Sequence, residues 1–80
     1  MRLDKFLKVS RIIKRRSVAN TACSGGHVEV NGKIAKAGTA LKVGDVITIT
    51  FNENISKYKV LDLKEHTLKD DSSSLYEVIS

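Results

Sequence analysis

The hydrophobic rhythm of the chain changes at Gly25-Gly26, and the change limits the fold to one that joins helices to a sheet. Ahead of the glycines, Leu3, Phe6 and Leu7 recur at three and four residues, the stripe of a short amphipathic helix. A second helix is predicted from Ser17, read as its N-cap, through Val18, Ala19 and Ala22. The glycine pair stops it, because glycine takes the left-handed conformation without steric cost. Beyond it the period becomes two. Val28 and Val30 alternate with His27 and Glu29, Asn31-Gly32 supplies a tight hairpin turn, and Lys33 and Ile34 start the return strand. Ala35 to Ala40 read as a loop and Val43-Gly44-Asp45 as a turn. Val46 to Phe51 is the strongest strand, with Ile47, Ile49 and Phe51 on one face. Asn52-Glu53-Asn54 turns the chain, and Tyr58 to Leu63 is the expected last strand of the sheet. The fold class that follows is α+β: two short packed helices against a small, mostly antiparallel sheet.

Eighty residues support one such unit, since a chain this short buries only about 60% of its unfolded surface. Residues 1–63 are expected to form the domain. Residues 64–80 read as a polar, mobile tail around Asp70-Asp71-Ser72-Ser73-Ser74. Within it Leu75 to Ile79 is apolar enough either to dock on the sheet or to meet a partner. No run approaches the ~20 apolar residues of a membrane span, and no apolar stretch follows Met1-Arg2 as a secretory leader would require. A cytoplasmic protein without membrane contact is expected. The single cysteine, Cys23, excludes an internal disulfide and reads as a small buried residue.

Charge is distributed unevenly. Residues 1–16 hold Arg2, Lys5, Lys8, Arg11, Lys14, Arg15 and Arg16 against Asp4 alone. Their surplus of six exceeds the net +5 of the whole chain, because residues 51–80 are net acidic. Such density points to a polyanionic partner. Arg2, Lys5, Arg15, Arg16 and Lys33 are expected to form one basic face across the helices and the hairpin. Arg15 and Arg16 precede the second helix, whose positive end favours phosphate. Asn31 and Lys33 flank a turn able to approach an RNA backbone. Lys8, Arg11, Lys14 and Lys36 are ranked behind them as support for the field. Asp4 reads as structural, placed in a first helical turn and one turn before Lys8.

Signals for catalysis are missing. His27 and His66 stand far apart without ligand-spaced companions, so no metal site is expected. No phosphate-binding glycine loop occurs, and Glu53 and Asp70-Asp71 fall in turns or tail. No cofactor is expected and no enzymatic activity. His27 reads either as an exposed strand-end histidine or as a contact to a phosphate or base. The shortage of exposed aromatics favours recognition of folded RNA by shape and phosphates over base stacking.

Four segments carry a family resemblance: Arg2-Leu3-Asp4-Lys5-Phe6-Leu7, Lys14-Arg15-Arg16-Ser17, Gly26 to Lys33, and Val43 to Ile49. Together, in this order and spacing, they resemble the S-four-type RNA-binding domain over roughly residues 1–51. The family fold is two helices on a small antiparallel sheet. Among its stand-alone bacterial branches, the ribosomal heat-shock proteins usually continue into a long basic tail. The short acidic tail here is similar instead to the ribosome-associated quality-control branch. That resemblance implies a factor binding large ribosomal subunits obstructed by nascent chain–tRNA, and a monomer is expected. Its implied partners are large-subunit rRNA, peptidyl-tRNA and a factor that adds a C-terminal alanine tail. The competing readings are an RNA-targeting module for an rRNA-modifying enzyme acting in trans, and a protein-interaction domain using Leu75–Ile79.

Overall fold

The computed structural model describes residues 1–64 and 74–79. Helices α1 (Leu3–Val9) and α2 (Arg16–Ser24) precede strands β1 (Val28–Val30), β2 (Lys33–Ile34), β3 (Val46–Phe51), β4 (Asn54–Val60) and β5 (Tyr76–Val78). The strands form one fully antiparallel sheet in the order β2-β1-β3-β4-β5. The expected tail mobility over 64–74 falls almost wholly on residues outside those described.

Local chemistry sets the element ends. α1 has no side-chain cap. Its first two N–H groups, on Leu3 and Asp4, donate instead to the carbonyls of Thr39 and Ala37 at 2.8 and 3.1 Å. Orphan donors at a helix start need partners, so the 37–41 loop serves as the cap. A bridge between Arg2 and Ala40 and a 2.9 Å bond from the Leu41 N–H to the Met1 carbonyl complete that junction. α1 stops at Ser10, and Arg11 takes the left-handed turn (φ 64°) that glycine more often fills. α2 ends as the glycine pair requires. Gly26 has φ 78°, its N–H donates to the Cys23 carbonyl, and the His27 N–H donates to the Ala22 carbonyl. These are the two bonds of a Schellman stop. The Asn31-Gly32 hairpin has positive φ at both positions, 53° and 83°, as a type I′ turn demands.

Two details depart from the sequence reading, and one alternative left open there is decided. Arg15 is the N-cap of α2, and Ser17 lies inside the helix, its carbonyl accepting the Thr21 hydroxyl. β4 begins at Asn54, four residues early, and residues 61–63 leave the strand. Pairing with β3 along its whole length extends β4 where local alternation is weak. The segment ending in Ile79 docks as a strand: Leu75 is fully buried and β5 pairs with β4.

The core lies between the helices and one sheet face. Leu3, Phe6 and Leu7 of α1 and Ala19, Ala22 and Cys23 of α2 pack over Val28, Ile47, Ile49 and Val60, with Leu41 and Leu75 closing the ends. The register puts Val28 opposite Ile49 and Val30 opposite Ile47, so residues from neighbouring strands share the buried face. The small α2 residues let that helix sit close. Burial raises the Cys23 thiol pKa and the charge of Asp4 adds to the shift, consistent with an inert thiol. Leu75→Ala is expected to cost about 2–4 kcal/mol, since it empties a buried site. Urea denaturation checks this; an unchanged midpoint would show that the C-terminal segment contributes nothing to folding.

Candidate nucleic-acid interface

At 100° per residue, Asp4 falls about 60° from Leu7, on the border of the apolar stripe. Folding puts its side chain at 3% exposure. A carboxylate so placed requires partners. Oδ1 accepts from the Lys5 N–H at 2.8 Å and from Arg2 Nε at 3.2 Å. Oδ2 accepts from Arg16 Nε at 3.4 Å and lies 3.5 Å from Arg2 Nη2. Burial pushes the Asp4 carboxyl up, but the Lys5 N–H, the Arg16 hydrogen bond and the charges of Arg16 and Arg2 together outweigh it. The group is held below its ordinary value.

One acid thus fixes two guanidiniums from different elements, the residue before α1 and the first residue of α2. The side chains of Arg2 and Arg16 remain 55% and 51% exposed. Two cations on one carboxylate leave the cluster positive. Arg2, Lys5 and Arg16 surround a depression of about 420 Å³, whose remaining wall is Met1, Gly38 and Ala40. Gly38 also borders a second depression of about 460 Å³ that contains Asn20, Ile34 and Lys36. The two hollows meet at Gly38, so the surface runs from Lys5 across α2 to Lys36.

The structure therefore brings Arg2, Lys5 and Arg16 into one cluster and joins Lys36 to its margin. Lys8, Arg11, Lys14 and Arg15 are exposed on α1 and the segment leading into α2, and line neither hollow. Lys33 stands on edge strand β2, opposite Val30. Asn31 is engaged within the fold. Its Nδ2 donates to Asp45 Oδ1 and its Oδ1 accepts from the Val46 N–H, both at 3.0 Å. Asp45 Oδ2 in turn accepts from the Lys42 N–H at 2.9 Å. Asn31 therefore fastens the hairpin to the start of β3.

Sequence reasoning missed two features. It placed Asp4 in the helix-dipole position but not beneath the arginines; the signal was a carboxylate at the edge of an apolar stripe directly after Arg2-Leu3. It also set Phe51 on one face with Ile47 and Ile49 without reading its exposure or its contact with His27. Phe51 lies on the last rung of the β3–β4 hairpin, 43% exposed, and stacks on His27 with centroids 5.4 Å apart. Among the described residues no group of three or more His, Cys, Asp or Glu side chains is arranged to hold a metal ion. No helix among them is long and apolar enough to cross a membrane.

Asp4→Asn is expected to cost about 1–3 kcal/mol, below the range for a fully buried pair because both arginines are half exposed. Because the folded pKa of Asp4 is depressed, its contribution is full above the unfolded value of about 3.9 and fades as pH falls through the folded value. Wild-type stability should therefore drop in that acid window, and Asp4→Asn should remove part of the drop. Parallel pH–stability curves for the two proteins would contradict the assignment.

The S4 domain family matches residues 1–47. The chain is 51% identical, over all of its length and 91% of the relative's, to the RQC P-site tRNA stabilizing factor of Streptococcus pneumoniae. It is 50% identical, over 98% of its length and 89% of the relative's, to the protein of the same name from Halalkalibacterium halodurans. The trimeric structure of Vibrio cholerae Heat Shock Protein 15 superposes with a TM-score of 0.90 at 27% identity, covering all of this chain and 82% of that one. With its paired helices, five-stranded sheet and arginine cluster, and with a family match spanning more than half of its length, the chain belongs to the S4 domain family.

Proposed function

We propose that this chain is a non-catalytic RNA-binding factor of bacterial ribosome-associated quality control. It binds large ribosomal subunits obstructed by nascent chain–tRNA, touching both rRNA and the P-site tRNA, and so supports C-terminal alanine tailing of the stalled chain by a separate factor. The observation that carries the RNA-binding part is the Arg2–Asp4–Arg16 cluster. Two planar forks are held in place before any ligand arrives, so little side-chain entropy is lost when they meet phosphate oxygens. The P-site and quality-control parts are supported by the names of relatives similar over the whole chain.

Arg2, Lys5 and Arg16 act as the centre of the surface, and Arg15 and Lys33 extend it. Lys36 stands at its margin, while Lys8, Arg11 and Lys14 add to the attracting field. Asn31 acts through the hairpin by holding its position. The helix start adds to this, because Arg15 and Arg16 lie where the dipole of α2 is positive. Recognition by phosphate and shape then requires no base sequence.

If Arg2, Lys5, Arg15, Arg16 and Lys33 each neutralise one phosphate, log K for structured rRNA should fall with log[salt] at a slope of roughly −3.5 to −4.5. Arg15→Ala with Arg16→Ala should weaken binding at least tenfold and reduce the slope by about 2, with melting lowered only a few degrees. Affinity indifferent to salt would contradict the proposal. Sedimentation tests the cellular role: the protein should travel with free large subunits that carry peptidyl-tRNA, and the double variant should stay at the top of the gradient. Recovery of wild-type protein with small subunits alone would overturn it.

A further inference from the structure

A second surface feature lies on the other side of α2 from Arg16 and Asn20. Ser17, Val18, Thr21, Ala22 and Gly25 from α2 and its C-terminal end line a cleft of about 370 Å³ together with His27 and Phe51. The two rings are nearly parallel, with an interplanar angle of 22°. His27 is fixed by Nδ1, 3.0 Å from the Thr50 carbonyl oxygen. Gly25 makes room for the ring, because a Cβ there would stand 2.8 Å from His27 Cδ2. Val18 is 47% exposed, so apolar surface of the cleft opens to solvent.

We propose that this cleft takes one unpaired nucleobase of RNA, stacked against the His27–Phe51 pair. The inference rests on the RNA-binding reading above and names a contact that the arginine cluster cannot supply. Every base has a π-face that stacks on an aromatic ring whatever its sequence. Here the platform is two rings held in one orientation, with α2 side chains lining the same cleft. The cations are suitably placed. Lys14 and Arg15, both exposed, lie within three residues of Ser17 in the chain, so phosphates flanking an inserted base meet positive charge near that residue. Size argues against a protein occupant: seven residues line the cleft, whereas a stable protein interface uses about 20–30 a side.

The test compares a single-stranded oligoadenylate with an adenine–uracil duplex of equal length, both titrated at low salt into the full chain. Phe51→Leu keeps apolar bulk and removes the flat ring; Phe51→Trp keeps a ring. On the single strand Phe51→Leu should bind about tenfold more weakly than wild type with an unchanged salt slope, and Phe51→Trp should match wild type. All three should bind the duplex alike. Equal binding of Phe51→Leu and wild type to the single strand overturns the stacking site and leaves the arginine reading intact. Equal weakening on both ligands also overturns it, since the variant would then act through the fold. Phe51 ring resonances that shift with protein concentration alone would assign the cleft to self-association. If wild type binds neither ligand, the RNA-binding reading falls as well.

Discussion

A buried carboxylate organises this small domain. Asp4 accepts from one backbone N–H and from two guanidiniums that arrive from different elements, Arg2 ahead of α1 and Arg16 at the start of α2. Without it, Arg2 and Arg16 would be like charges brought close together at the helix junction. With it, helix packing and display of positive charge become the same arrangement. Energetically it is a compromise. Desolvating an acid is unfavourable, and only the number of donors around Asp4 keeps it ionised. Each donor is therefore tied to the fold as well as to the surface.

The cap of α1 belongs to the same junction. The loop carbonyls of Ala37 and Thr39 receive the first N–H groups of the helix, which seats the 37–41 loop beside Arg2 and lets Gly38 join two hollows into one surface. The hairpin has its own fastening in Asn31 and Asp45. A chain of this size has little core with which to position surface groups. Much of that positioning is done by short polar links anchored at the margins of the core.

Much of the architecture was legible in order. The stripe Leu3-Phe6-Leu7, the glycine stop and the Asn-Gly turn act over a few residues, and each produced the element it signalled. Reading failed where the deciding partner is distant in sequence. Ser17 has good N-cap chemistry, but the packing of α2 started the helix at Arg16. The first half of β4 carries a weak alternating pattern and is a strand because β3 pairs with it.

Composition and local pattern by themselves determined the two helices, the central strands and the concentration of positive charge near the N-terminus, because charge and periodicity are properties of neighbouring residues. Which cations stand together was decided by tertiary structure alone. The distance from Asp4 to Arg16 spans twelve positions of chain and closes only when α1 and α2 pack, and Asn31 meets Asp45 only when β1 lies against β3. A carboxylate at the rim of an apolar stripe can be seen in the sequence, but the partners that keep it ionised belong to the folded chain.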